Sequence, residues 1–150
     1  MKRKTTWILI ADGARVRILR YLGRLSGVQQ LQGYEWQVSH VQDRELGTDR
    51  PGRVFDSVGK GRHSIEPHTS VARLNKDEFA HGITDFLQEK LEAGAFDRLV
   101  LIAPPETLGD LRGHLSDKLA KSIFAEVPLD LTHVPNDKID GYLRQHVPTL

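Results

Sequence analysis

The side chains able to do chemistry in this chain are few and scattered. Asp12 follows directly on the apolar run Trp7-Ile8-Leu9-Ile10-Ala11, where a strand end could offer a first carboxylate to a pair of divalent ions. Such a site needs several carboxylates converging from adjacent strand ends and a helix. The second apolar run, Leu99 to Ala103, stops at Pro104-Pro105, and Glu106 lies beyond the prolines. Asp12 therefore lacks partners, and Asp12-Gly13 reads equally well as a hairpin turn in which both central residues take positive φ. The seven histidines are His40, His63, His68, His81, His114, His133 and His146. His63, Glu66 and His68 form a trio whose spacing matches no helix-face pair of metal ligands. There is no cysteine, which removes thiol catalysis, iron–sulfur clusters and cysteine-bound zinc. No Gly-x-Ser-x-Gly elbow occurs, and Gly59-Lys60-Gly61 lacks the spacing of a phosphate-cradling loop. These residues imply no metal, no cofactor and no catalytic set, and an enzyme is the less favoured class.

The remaining candidate is basic. Between His40 and Lys76 lie Arg44, Arg50, Arg53, Lys60, Arg62 and Arg73, interleaved with Asp43, Glu45, Asp49, Asp56 and Glu66. The planar arginine fork suits phosphate, neighbouring glycines let a backbone approach closely, and Phe55 could stack on a base. The mixed acids suit a solvated surface equally well, and Asp49-Arg50-Pro51-Gly52-Arg53 could be a self-paired turn. Arg50, Arg53, Lys60, Arg62 and His63 are the expected binding residues for nucleic acid or another partner.

These residues must be carried by some frame. Trp7–Ala11 is a continuous apolar run, as in a strand buried on both faces. Ala14 to Tyr21 alternates Arg15 and Arg17 with Val16 and Ile18, giving a strand with one wet face. Gly23 to Gly27 breaks the pattern, and Leu31 to His40 reads as a third strand. Residues 41–74 are rich in glycine and proline, with no period, and read as a long flexible loop, uncommon unless functional. Asn75 with Glu78 suggests a capping box. Phe79, Ile83, Phe86, Leu87 and Leu91 then recur at helical spacing, and Gly94 ends the helix. Leu99–Ala103 is a second central strand. Leu108, Leu111 and Leu115 fit a short helix, and Ser116 a cap for a further turn. Ala125, Val127, Leu129 and Leu131 alternate around Pro128 as an edge strand would. Asn136 to Val147 is a closing helix.

The order βββαβαβα, with right-handed crossovers, predicts a single α/β domain over 1–150. Its five-stranded mixed sheet has the order 3-2-1-4-5, helices on both faces and a ribonuclease H-like arrangement. The 150 residues are 39% hydrophobic and 27% charged, ordinary for a soluble domain with one core. Net charge is +1. It conceals a basic half, residues 1–76, with 14 Lys/Arg and 7 Asp/Glu, and an acidic remainder. A basic half favours a phosphate-rich partner. No run approaches the ~18 apolar residues of a membrane helix. The early Asp12 is foreign to a signal peptide. A cytoplasmic protein without membrane insertion is expected.

Several stretches have a familiar look. They are Trp7-Ile-Leu-Ile-Ala-Asp-Gly-Ala-Arg15, Thr48-Asp-Arg-Pro-Gly-Arg53, Arg62-His63 with Glu66-Pro67, Asp97-Arg-Leu-Val-Leu-Ile-Ala-Pro-Pro105 and Asp130-Leu-Thr-His133. In this order, over nearly the whole chain, they resemble the bacterial host attachment protein family. That family takes its name from attachment to plant host cells, which states no biochemical activity. The architecture is similar, more distantly, to the middle domain of archaeal and eukaryotic peptide-chain release factors. There the loop after the third strand carries Gly-Gly-Gln into the ribosomal peptidyl transferase centre. Here that stretch reads Ser57-Val-Gly-Lys-Gly-Arg-His63, and no Gly-Gly-Gln occurs. The resemblance implies a loop that probes RNA or the ribosome, and it carries no peptidyl-tRNA hydrolysis with it.

Three function classes follow. The first is a non-catalytic protein whose arginine-rich loop contacts RNA or the translation apparatus. The second is a protein acting in host attachment through protein or surface contacts. The third is a hydrolase using loop histidines. The residues say nothing of oligomeric state.

Overall fold

The computed structural model describes residues 3–38 and 71–150, with side chains from residue 75 onward in the second stretch. The elements in chain order are β1 (Thr6–Ala11), β2 (Arg15–Gly23), β3 (Gly27–Gln37), α1 (Val71–Glu92), β4 (Arg98–Ile102), α2 (Pro105–Arg112), α3 (Asp117–Ser122), β5 (Ile123–Val127) and α4 (Asn136–His146). The sheet order is β3-β2-β1-β4-β5. β1 to β3 form an antiparallel meander, while β1, β4 and β5 run parallel. This is the expected topology. β1 and β4 sit side by side at the centre, with Leu9 opposite Leu101, and every residue of β1 is buried.

Alternation along the strands divides the core between the two sheet faces. Trp7, Leu9, Val16, Ile18, Leu99 and Leu101 pack with Phe79, Ile83 and Leu87 of α1, Leu108 and Leu111 of α2 and Leu119 of α3. Ile8, Ile10, Leu19, Val100, Ile102 and Val127 pack with Ile139 and Leu143 of α4. The helices therefore cover both faces. The end of α1 is a Schellman turn: Gly94 takes φ +80°, Gly94 N–H bonds Leu91 O and Ala95 N–H bonds Lys90 O. Ser116 caps α3, its Oγ accepting from Leu119 N at 3.1 Å.

Several boundaries differ from expectation. α1 begins at Val71, so the expected loop over 41–74 loses its last four residues. Asn75 and Glu78 lie inside the helix, because Ala72, Arg73 and Leu74 are good helix formers. β3 starts at Gly27 rather than Leu31 and ends at Gln37, while His40 lies outside the described residues. Gly33, at φ +85°, sits in a bulge where the register jumps from Arg17↔Glu35 to Leu19↔Gln30. That bulge interrupts the alternation that marks a strand. α2 ends at Arg112, so Leu115 falls in the connection to α3. β5 ends at Val127, so Pro128 stands just past the edge strand rather than within it.

Candidate functional site

The β1–β2 connection builds one wall of the site. Asp12 Oδ1 accepts from Ala14 N at 2.7 Å and from Arg15 N at 2.8 Å, and Asp12 N donates to Arg15 O at 3.0 Å. A carboxylate bound to its own backbone in this way fixes a turn without left-handed residues. Neither Asp12 nor Gly13 takes positive φ, which corrects the expected two-residue turn. Gly13 has a different function: a Cβ there would stand 2.9 Å from Lys76 Cε, so the glycine lets the α1 lysine lie against the turn.

The opposite wall is the chain between β5 and α4. Asp130 Oδ1 accepts from Thr132 N at 3.0 Å and from the Thr132 hydroxyl at 2.6 Å. That hydroxyl also lies 3.2 Å from Asp12 Oδ2, joining the two walls. Burial works against ionisation of Asp130. The Thr132 hydroxyl and N–H, with the charges of His133 and Arg15, outweigh it and hold the carboxyl below its ordinary range.

Arg17 spans the gap. Its Nε donates to Asn136 Oδ1 at 2.9 Å, Nη1 to Thr132 O at 2.9 Å and Nη2 to Val134 O. Gln30, at the bulge, donates to Ile18 O and Leu31 O, and its Oε1 faces Asn136 Nδ2. Burial lowers the Arg17 pKa, and Glu35 across the β2–β3 ladder works in the opposite sense.

Between the walls lies a cleft of about 290 Å³, lined by Ile10, Arg15, Val16, Arg17, Glu35, Trp36, Gln37 and Thr132. Arg17 is committed to three oxygens. Among the described residues lining the cleft, Arg15 is the other cation: its side chain is 32% exposed, and its Nε is ion-paired with Asp12 Oδ2 at 3.9 Å without donating a hydrogen bond. Arg15 with Gln37 can bind an anionic oxygen and a neighbouring polar group, while Glu35 offers an acceptor. Among the described residues no three His, Asp or Glu side chains are placed to share a metal ion. Asp12 holds the turn through the two backbone N–H groups bound to its Oδ1. We expect Asp12→Asn to keep the fold within about 1 kcal/mol, since an amide oxygen caps the same two N–H groups, and Asp12→Ala to cost about 1–2 kcal/mol in thermal or urea melts.

Arg50, Arg53, Lys60, Arg62 and His63 lie outside the described residues, as do Phe55, Glu66 and His68. The structure brings together instead Asp12, Arg15, Arg17, Asp130, Thr132 and Asn136. Of these the Asp130-x-Thr132 pair had a local signal, the Asx-type turn it forms.

A second polar group lies on the far face. His81 of α1 and His114 after α2 stack with ring centroids 4.7 Å apart. Each is bound to a carboxylate, His81 to Asp85 at 3.5 Å and His114 to Asp77 at 3.0 Å.

A family model described as "Protein required for attachment to host cells" matches residues 7–143. The chain belongs to this family. The match runs from Trp7 in β1 to Leu143 in α4, so both walls of the cleft in this host attachment protein fall within it. No curated protein matches the chain. Among the described residues no helix is long and apolar enough to cross a membrane.

Proposed function

We propose that this host attachment family member is a non-catalytic binding protein, acting inside the cell, whose basic segment contacts RNA or the translation apparatus. Arg50, Arg53, Lys60, Arg62 and His63 are its binding residues, and Arg15 in the cleft adds a further cation. One observation carries the reading. Val38 N donates to Ala14 O at 2.6 Å and Lys76 lies over Gly13, so the described residues on either side of 39–70 both abut the turn that forms the cleft wall. The basic segment with Arg44, Arg50, Arg53, Lys60 and Arg62 lies between these two residues in the chain. The resemblance drawn from the sequence to release-factor middle domains, where the loop after the third strand does the work, suggests it by analogy only.

A pull-down from native cells with and without ribonuclease, followed by RNA binding across a salt series, tests this. We expect ribonuclease to strip the partners. Replacing Arg50, Arg53 and Arg62 together by Ala should weaken binding and flatten the salt slope by about 0.7–0.9 per lost phosphate contact. On this reading the melting temperature should hardly move, because charges that serve a partner rather than the core contribute little to folding. No RNA affinity at low salt, or unchanged binding by the triple variant, refutes the reading.

The family description favours a second reading, attachment through protein or surface contacts. Cell fractionation separates the two: recovery of the chain on the outer surface supports the second, and recovery with ribosomes the first.

A further inference from the structure

The β2–β3 hairpin tip is built to project. β2 ends at Gly23 and β3 begins at Gly27, and these two residues take φ +123° and +74°, conformations open to glycine. They bracket a three-residue turn, Arg24-Leu25-Ser26, closed by Ser26 N donating to Gly23 O at 3.1 Å. Arg24 Nη2 reaches Pro148 O at 3.2 Å and braces the tip against the residues after α4. Leu25 is 100% exposed and Leu22 37%, and these are the exposed large hydrophobic side chains among the described residues. Both stand on this one hairpin, the reverse of the usual singly scattered distribution.

The same end of the sheet is basic. Trp7 pairs with Arg20 and Thr6 with Arg98, so the chain entering β1, with exposed Arg3 and Lys4, runs beside the outgoing end of β2. Arg20 and Arg24 are exposed on the hairpin itself. Arg98 also starts its strand here but is engaged, its Nε donating to Thr6 Oγ1 and its guanidinium lying over Phe124. Of the acids toward this end among the described residues, Asp97 is bound to Thr5 N at 2.7 Å, and Glu89 and Glu92 stand in the last turns of α1. The opposite end of the sheet carries Asp12, Glu106 and Asp130.

We propose that this tip is a peripheral docking surface for an anionic lipid bilayer, in which Leu25 and Leu22 enter the headgroup–acyl boundary while Arg20, Arg24, Arg3 and Lys4 pair with lipid headgroups. The two features select this partner together. Cations alone would suit any polyanion, but a fully exposed leucine at the apex gains only from an apolar phase. An apolar tip flanked by arginines matches the layering of a charged bilayer surface, apolar inward and anionic outward. The contact is shallow and reversible, independent of the cleft and of the RNA reading.

The test is flotation of the whole protein with vesicles of phosphatidylcholine containing about one-third phosphatidylglycerol, and with pure phosphatidylcholine, at low and high salt. We expect binding to the anionic vesicles, loss of most of it at high salt, and little on the neutral ones. Leu25→Ser should weaken it about tenfold or more. Arg20→Gln with Arg24→Gln should weaken it roughly 25-fold, taking about fivefold per cation. Circular dichroism melts should leave Leu25→Ser unchanged, since that side chain packs on nothing. No flotation with anionic vesicles at low salt overturns the proposal. So does equal flotation with neutral vesicles. Unchanged vesicle binding by Leu25→Ser, with heparin binding lost in the double arginine variant, would make the tip a polyanion or acidic-protein site and overturn the proposal as well.

Discussion

Leu101→Ala should lower the unfolding free energy by roughly 2–5 kcal/mol, the range for a leucine truncated in a close-packed core. Leu101 is 1% exposed on β4 and lies opposite Leu9 of β1 and Glu126 of β5. Its side chain belongs to the core under α1, α2 and α3, with Leu9, Ile83, Leu87 and Leu108 around it. A central strand hydrogen-bonded on both sides cannot shift to fill a cavity without breaking two ladders, which places this site toward the upper part of the range. In a chain of this length each kcal/mol moves the melting midpoint by about 2–4 °C, so an easily measured drop follows. A loss below about 1 kcal/mol would show that α1 settles inward to close the space.

The same burial explains what was readable in the residues. Trp7–Ala11 and Leu99–Ala103 are apolar without alternation because cores press on both faces of β1 and β4. That property fixes them at the centre of a parallel pairing, and the order of the remaining strands follows. Elsewhere the backbone departs from the pattern its letters suggest. Asp12-Gly13 carries the letters of a left-handed turn, yet the Asp12 carboxylate binds Ala14 N and Arg15 N, and Gly13 yields space to Lys76. The first residues of β3, Gly27 to Gln30, show no alternation, and the bulge at Gly33 resets the phase beyond them. The cleft was the least legible part. Asp130-x-Thr132 is a local turn, but Arg17 meets Thr132 O and Asn136 across 115 and 119 residues of chain. An arginine alternating with apolar residues reads simply as the wet face of a strand.

That hidden network gives the second large effect. Arg17→Met should destabilise the protein by roughly 2–4 kcal/mol, because it keeps the packed stem and removes charged hydrogen bonds worth about 1.5–3 kcal/mol each before relaxation and solvent reclaim part of them. The three acceptors, Thr132 O, Val134 O and Asn136 Oδ1, belong to the segment that feeds α4, and Thr132 is 8% exposed. Its backbone oxygen would be left short of a donor. Arg17→Lys should recover less than half of the loss, since one ammonium cannot hold three acceptors spread along five residues as the planar fork does. Arg15→Met is the control from the same cleft. That side chain makes no hydrogen bond through Nε and meets Asp12 only at 3.9 Å, so its loss should move stability by no more than about 0.5 kcal/mol. Amide exchange should agree, with protection falling at residues 132–136 and the first turn of α4 in Arg17→Met and staying unchanged in Arg15→Met. Equal stability losses in the two variants would mean that the cleft wall is held by the Asp12–Thr132–Asp130 contacts and by general charge rather than by the Arg17 fork. A large loss confined to Arg17 assigns the two neighbouring arginines separate tasks, one that ties β2 to α4 and one that stands beside Asp12 in the cleft with little weight in folding.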